Sequence, residues 1–158
     1  MPFAAAIEAG APMIMTAHIL LPNIDPDLPA SLSPAVLEGM LRRDLRYEGV
    51  VLADDLGMGA LARRYGCGDS AVMTLNAGSD IAMLCHDSTV VPEAIDAVAA
   101  ALDAGSFDAA RWAASRARVA RLRKTIGAVE RPAPPLEIIG CRAHLQLAQK
   151  IRSRLATL

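Results

Sequence analysis

The chain has 158 residues, enough for one domain with a substantial core. Its 16 basic and 17 acidic residues leave a net charge of −1 with no long run of one sign, so neither nucleic acid nor an anionic membrane is an expected partner. Hydrophobic residues make up 53% and aromatics only 3%, so Ala, Leu, Val, Ile and Met carry the apolar load, unless some surfaces await a cover from outside the chain.

No apolar stretch reaches the ~20 residues that a membrane helix needs. The start lacks the basic region and apolar run of a signal peptide. Cys67, Cys85 and Cys141 are odd in number and without CxxC spacing. They read as free thiols, and the expected compartment is a reducing cytoplasm.

Residues Pro2 to Glu8 have the character of a helix stopped by Gly10. Met13 to Ala17 read as a buried strand ending at His18. Leu21 to Leu32, with three prolines, form an expected loop, long enough to suggest function. Ser33-Pro34 is a helix start, with Ser as N-cap and Pro at the first helical position. Val36, Leu37, Met40, Leu41 and Leu45 then share one face of a helix ending near Tyr47.

Gly49 to Ala53 form the next strand. Its unbroken apolar run, rich in Val, fits burial on both faces, as in a parallel sheet. It ends abruptly in Asp54 and Asp55, then Leu56-Gly57-Met58. Charge at the C-terminal end of such a strand sits where α/β proteins place their chemistry. These two acids therefore mark the mouth of a site.

A short helix is expected over Leu56 to Tyr65. Another is capped by Asp69, with Val72, Met73 and Leu75 inward and Gly78 as its stop. Asp80 to Cys85 read as a third buried strand. Helices follow over Pro92 to Ala104 and Asp108 to Ile126. The basic residues between Arg111 and Lys124 are expected to be a solvated face. A Pro-rich linker over residues 128–140 precedes a C-terminal helix over 141–158, with Leu145, Ala148 and Ile151 on one side.

Strands alternating with helices mean parallel βαβ units. Three strands alone leave two open edges. A full (β/α)₈ barrel takes roughly 250 residues, so about three of its eight units fit here.

Four blocks carry a more specific signal: Gly10-Ala11-Pro12-Met13-Ile14-Met15-Thr16-Ala17-His18, Pro29-Ala30-Ser31-Leu32-Ser33-Pro34, Tyr47 through Met58, and Ala77-Gly78-Ser79-Asp80. In this order and spacing they resemble the β-N-acetylhexosaminidases of glycoside hydrolase family 3. These are the bacterial enzymes that trim N-acetylglucosamine from peptidoglycan fragments. The resemblance covers residues 2–127. It implies an α/β fold, a partial (β/α)₈ TIM barrel of about three C-terminal units over residues 1–127, plus the helical tail.

It also implies a retaining mechanism in which Asp54, the first acid of the Asp-Asp-Leu motif, is the nucleophile. Asp55 orients the loop or binds a backbone N–H. His18 and Ser31 are candidate sugar contacts; a His satisfied by the loop after it, and a Ser that makes a local turn, are the other readings. The family's acid/base His, with its paired Asp, lies on an upstream loop absent from this sequence. The expected substrate is an N-acetylglucosamine-containing saccharide.

The chain thus resembles the C-terminal half of the enzyme, expected to be inactive alone. A non-catalytic half-barrel that self-associates through its edges, or pairs with an N-terminal half, is the alternative. No cofactor is implied. A metal centre from Asp54, Asp55, His18 and Cys85-His86-Asp87 would need a convergence that spacing does not supply, and none is expected.

Overall fold

The central strand of the sheet is the one that carries the two acids. In the computed structural model, which describes residues 2–127 and 135–155, β4 (Val50–Asp55) lies between β1 (Met13–Met15) and β5 (Ile81–Met83), parallel to both. The chain divides into two units, Met1–Ile126 and Gly127–Leu158.

In the first unit α1 (Pro2–Glu8) leads into β1. A helix over Ala35–Asp44 separates β1 from β4. It is wound wider than an α-helix, with i→i+5 bonds such as Leu45 N to Met40 O at 3.0 Å. Ser33 starts it as its sequence predicts, with Oγ accepting from Val36 N at 3.2 Å. Between β4 and β5 lie α2 (Gly59–Ala62) and α3 (Cys67–Ala77). After β5 come α4 (Val91–Asp103) and α5 (Ala109–Gly127), whose start is capped by Asp108 Oδ1 accepting from Arg111 N.

Alternation along β4 sends Val51 and Ala53 to the helix-covered side. There Val51 joins Leu37, Leu41, Tyr47 and Ala77, and Ala53 joins Leu32, Leu56, Leu61, Ala71 and Ala94. Burying each of these leucines stabilises the fold by about 1.5–3 kcal/mol. On the other side Met13 is level with Val50 and Met15 with Leu52. Met13 and Met15 are 43% and 56% exposed, so that side is bare along β1.

Several expectations need correcting. β1 is not buried: it is an edge strand, and the described residues cover only its Ile14 side. β5 is half-buried for the same reason. The Leu21–Leu32 segment is not an open loop. It contains a hairpin of β2 (Leu20–Leu21) and β3 (Asp25–Pro29), then a 3₁₀ turn over Ala30–Leu32. Asp25 organises it by accepting from Asp27 N, Leu28 N and Ser33 Oγ.

Helix α3 starts at Gly66, with Asp69 in its first turn rather than at its cap. It buries Ala71, Thr74 and Ala77, while Val72, Met73 and Leu75 are half-exposed. Close approach to the 3₁₀ turn demands the small face, and Thr74 Oγ1 reaches Ser31 O at 2.8 Å.

Arg118 is not part of a solvated face. Its guanidinium donates twice to Asp80 Oδ1, at 2.8 and 3.0 Å. The other Asp80 oxygen accepts from Arg42 at 2.7 Å and from Val51 N at 2.8 Å. The Asp80 side chain is fully buried, and this network ties α5 to the start of β5.

In the second unit a 3₁₀ turn over Leu136–Ile138 precedes α6 (Arg142–Leu155). Leu145 and Ile151 of α6 are exposed. The remainder of the expected linker, residues 128–134, and the last three residues of the expected helix lie outside the described residues. No described helix is long and apolar enough to cross a membrane.

Candidate active site

The register between β4 and β5 slips just before the acids. Leu52 pairs with Ile81 but Asp55 pairs with Met83, so β4 carries one extra residue across Ala53-Asp54. A bulge of this kind re-aims side chains at a strand's end. It also brings Asp55 level with the exit of β5.

Asp54 remains half-buried at this C-terminal rim, and its Oδ1 accepts from the Asp55 amide at 2.8 Å. It is not enclosed in hydrocarbon. Asp55 is only 4% exposed and has a different set of partners. Its Oδ1 accepts from Gly57 N at 3.1 Å and from Cys85 N at 3.0 Å, and its Oδ2 pairs with His86 Nδ1. Burial alone raises the Asp55 carboxyl pKa. The hydrogen bonds from His86, Cys85 N and Gly57 N outweigh that, and the net shift is below the ordinary carboxylate value.

His18 approaches Asp55 from the exit of β1. Its Nε2 lies 3.0 Å from the Asp55 carbonyl oxygen, and its Nδ1 lies 2.6 Å from Ser31 Oγ. A carbonyl only accepts, so Nε2 must carry the proton. In the neutral ring Nδ1 then accepts from the Ser31 hydroxyl. Both ring nitrogens have protein partners. Ser31 is fully buried, so it holds the ring from behind and has no surface of its own.

The three strand exits therefore converge on Asp55, through His18 from β1 and through Cys85 N and His86 from β5. Sequence reading singled out Asp54, His18 and Ser31, and all three lie at this rim. It did not find the pairing of His86 with Asp55. The only signal for it was polar character immediately after β5. Cys85 and His86 line a cavity of about 210 Å³ together with Asp55 and Cys67, and Cys67 and Cys85 are free thiols. Among the described residues no three His, Cys, Asp or Glu side chains are arranged to hold a metal ion.

Chemically, the rim offers a carboxylate with one oxygen held by a backbone amide, on the central strand, and the carbonyl of the next residue, Asp55, holds an imidazole of fixed tautomer. A carboxylate held in this way can act as a nucleophile.

The chain matches the family described as "Glycosyl hydrolase family 3 N terminal domain" over residues 1–122. A beta-hexosaminidase of Stenotrophomonas maltophilia is 41% identical over 97 residues, covering 61% of this chain and 28% of the relative. One of Xylella fastidiosa is 41% identical over 98 residues, covering 62% of this chain and 29% of the relative. The chain thus spans less than a third of the length of these curated relatives.

Among solved structures, a glycoside hydrolase family 3 beta-N-acetylglucosaminidase from a Paenibacillus species superposes with a TM-score of 0.80 at 38% identity, over 85% of this chain and 26% of that one. A beta-N-acetylhexosaminidase from Beutenbergia cavernae gives 0.73 at 33% identity, over 77% of this chain and 36% of that one. By its matched residues and its fold, the chain belongs to glycoside hydrolase family 3.

Proposed function

We propose that this chain is the nucleophile-bearing part of a retaining β-N-acetylhexosaminidase. The substrates would be β-linked N-acetylglucosaminides, of the muropeptide type released from peptidoglycan, in the cytoplasm. On this reading the three parallel strands are an arc of a (β/α)₈ barrel, its C-terminal units, and the bare side of the sheet is the barrel's interior.

The observation that carries the reading is the Asp54 carboxylate, held at the C-terminal end of the central strand by the amide of Asp55, whose carbonyl in turn accepts from His18. Asp54 attacks the anomeric carbon as the bond to the leaving oxygen breaks, and water then cleaves the glycosyl-enzyme. His18, with both nitrogens engaged, offers the sugar its ring, and Ser31 acts through His18. Retaining hydrolysis also needs an acid/base group, which the family resemblance assigns to a loop upstream of this chain. Alone, it therefore has little or no hydrolase activity.

The test is complementation. The chain is mixed or co-expressed with the upstream barrel segment of the Stenotrophomonas relative. Turnover of an aryl N-acetyl-β-glucosaminide is measured with wild type and with Asp54→Ala. Activity that appears on mixing and vanishes with Asp54→Ala is the expected result. Turnover by the isolated chain, or turnover indifferent to Asp54, overturns the reading.

A second reading has its own support. β1, with exposed Met13 and Met15, is an apolar edge strand whose only strand neighbour among the described residues is β4, and such edges invite pairing. On this reading the chain is a non-catalytic half-barrel that self-associates. Size-exclusion chromatography with light scattering decides it: a monomer across the micromolar range excludes self-association.

A further inference from the structure

His86 follows β5 by three residues. Its side chain is 78% exposed and that of Asp55 is 6% exposed, yet Nδ1 of one meets Oδ2 of the other. An imidazole this exposed adds little to the core. Its contribution is to give an enclosed carboxylate its side-chain donor.

The consequences run through Asp55. With Oδ2 on His86, Oδ1 takes Gly57 N and Cys85 N, which joins the turn after β4 to the exit of β5. That single rotamer fixes the peptide groups on either side of the Asp55 Cα. The Asp55 amide donates to Asp54 Oδ1, and the Asp55 carbonyl accepts from His18 Nε2 and from Met58 N. Without a donor on Oδ2, a carboxylate so enclosed would be left partly unpaired. Rotating outward to reach water would release Gly57 and Cys85.

We infer that His86 is a positioning residue for Asp54: it locks the Asp55 rotamer whose amide orients the Asp54 carboxylate and whose carbonyl orients His18. The inference rests on Asp54 being the nucleophile of the proposed reaction. His86 itself touches no reacting atom. Its neighbours include Asp87, whose Oδ1 is engaged by Thr89, so Asp55 is the acid it serves.

The test uses the full chain with His86→Ala and His86→Asn. An Asn side-chain N–H donates from nearly the place of Nδ1, so it restores the strap without an ionisable ring. Two measurements are made. In ¹⁵N NMR, His86→Ala is expected to shift the Gly57 and Cys85 amides and to average the His18 ring tautomers, and His86→Asn to return all three.

The second measurement is mass-spectrometric. A dinitrophenyl N-acetyl-β-glucosaminide, whose leaving group departs without a proton, is followed as a covalent adduct on Asp54. Labelling, followed at a temperature below the thermal midpoint of every variant, slows about tenfold in His86→Ala and recovers in His86→Asn, because misplacing a reacting group by a fraction of an ångström costs rate. The inference is overturned if His86→Ala leaves the amides and the His18 tautomer as in wild type, or if Asn fails to rescue. Absence of an adduct on wild type counts against the nucleophile assignment, and the strap is then judged on the NMR measurement alone.

Discussion

The amide of Asp55 donates to the carboxylate of Asp54 at 2.8 Å, while the carboxylate of Asp55 turns to Gly57, Cys85 and His86. Two adjacent residues of one type thus divide the work. One stays half-buried at the rim, where the proposed reaction uses it as nucleophile, and the other is enclosed as the strut that holds it.

That division sets the first prediction. Asp54→Asn removes no packing, so the urea midpoint stays within about 0.5 kcal/mol of wild type. Turnover in the complemented enzyme falls by about 10⁴-fold, the scale of losing a covalent nucleophile. A large loss of stability instead would make Asp54 a structural acid.

Acid stability should report Asp55. Burial raises its pKa, but the hydrogen bonds from His86, Cys85 N and Gly57 N bring it below the ordinary 3.8. A depressed carboxylate contributes stability that is present above the unfolded value and lost as pH falls through the folded one. Asp55→Asn should therefore flatten the acid limb of the urea-midpoint profile below about pH 4. An unchanged slope there would show that Asp55 is not a linked group.

The buried Asp80 network should be among the costliest places to cut. Asp80→Ala strands Arg42 and Arg118 and leaves Val51 N without its acceptor, for a loss of about 3–5 kcal/mol. Arg118→Ala leaves Asp80 paired with Arg42 and costs about 2 kcal/mol. Urea unfolding measures both, and equal costs would mean that the two arginines are not independent partners.

Gly49 enters β4 where there is no room for a side chain. A Cβ there would come within 2.8 Å of the Pro12 carbonyl oxygen and would overlap the Tyr47 ring. Gly49→Ala should cost about 1–3 kcal/mol by overpacking. It should also shift the β1–β4 pairing seen by amide exchange at Val50, whose N–H donates to Pro12 O at 3.1 Å.

If the bare edge of β1 drives association, Met15→Lys should yield monomer at concentrations where wild type is larger. A charge on an edge strand opposes pairing with a neighbour. Light scattering on both variants checks this.

The sequence by itself determined the order of the three parallel strands and the helices between them, and the position of the acids at a strand's C-terminal end; the β2–β3 hairpin it read as a loop. Those features are local. Apolar runs, the Ser33 cap and glycine stops write themselves into short windows of residues. Family membership was legible for the same reason, since Gly10 to His18 and Tyr47 to Met58 are contiguous blocks.

Only the tertiary structure decided which strands were covered. Met13-Ile14-Met15 has the same apolar run whether it is central or at an edge, and burial depends on neighbours that no local window contains. The Ala71, Thr74 and Ala77 face of α3 was chosen by close approach to the Ser31 turn, against the larger residues that hydrophobicity favoured. The pairings of Arg118 with Asp80 and of His86 with Asp55 span 38 and 31 residues. Contacts at such separation are set by how strands stack side by side, and a one-residue bulge in β4 was enough to bring Asp55 and His86 together.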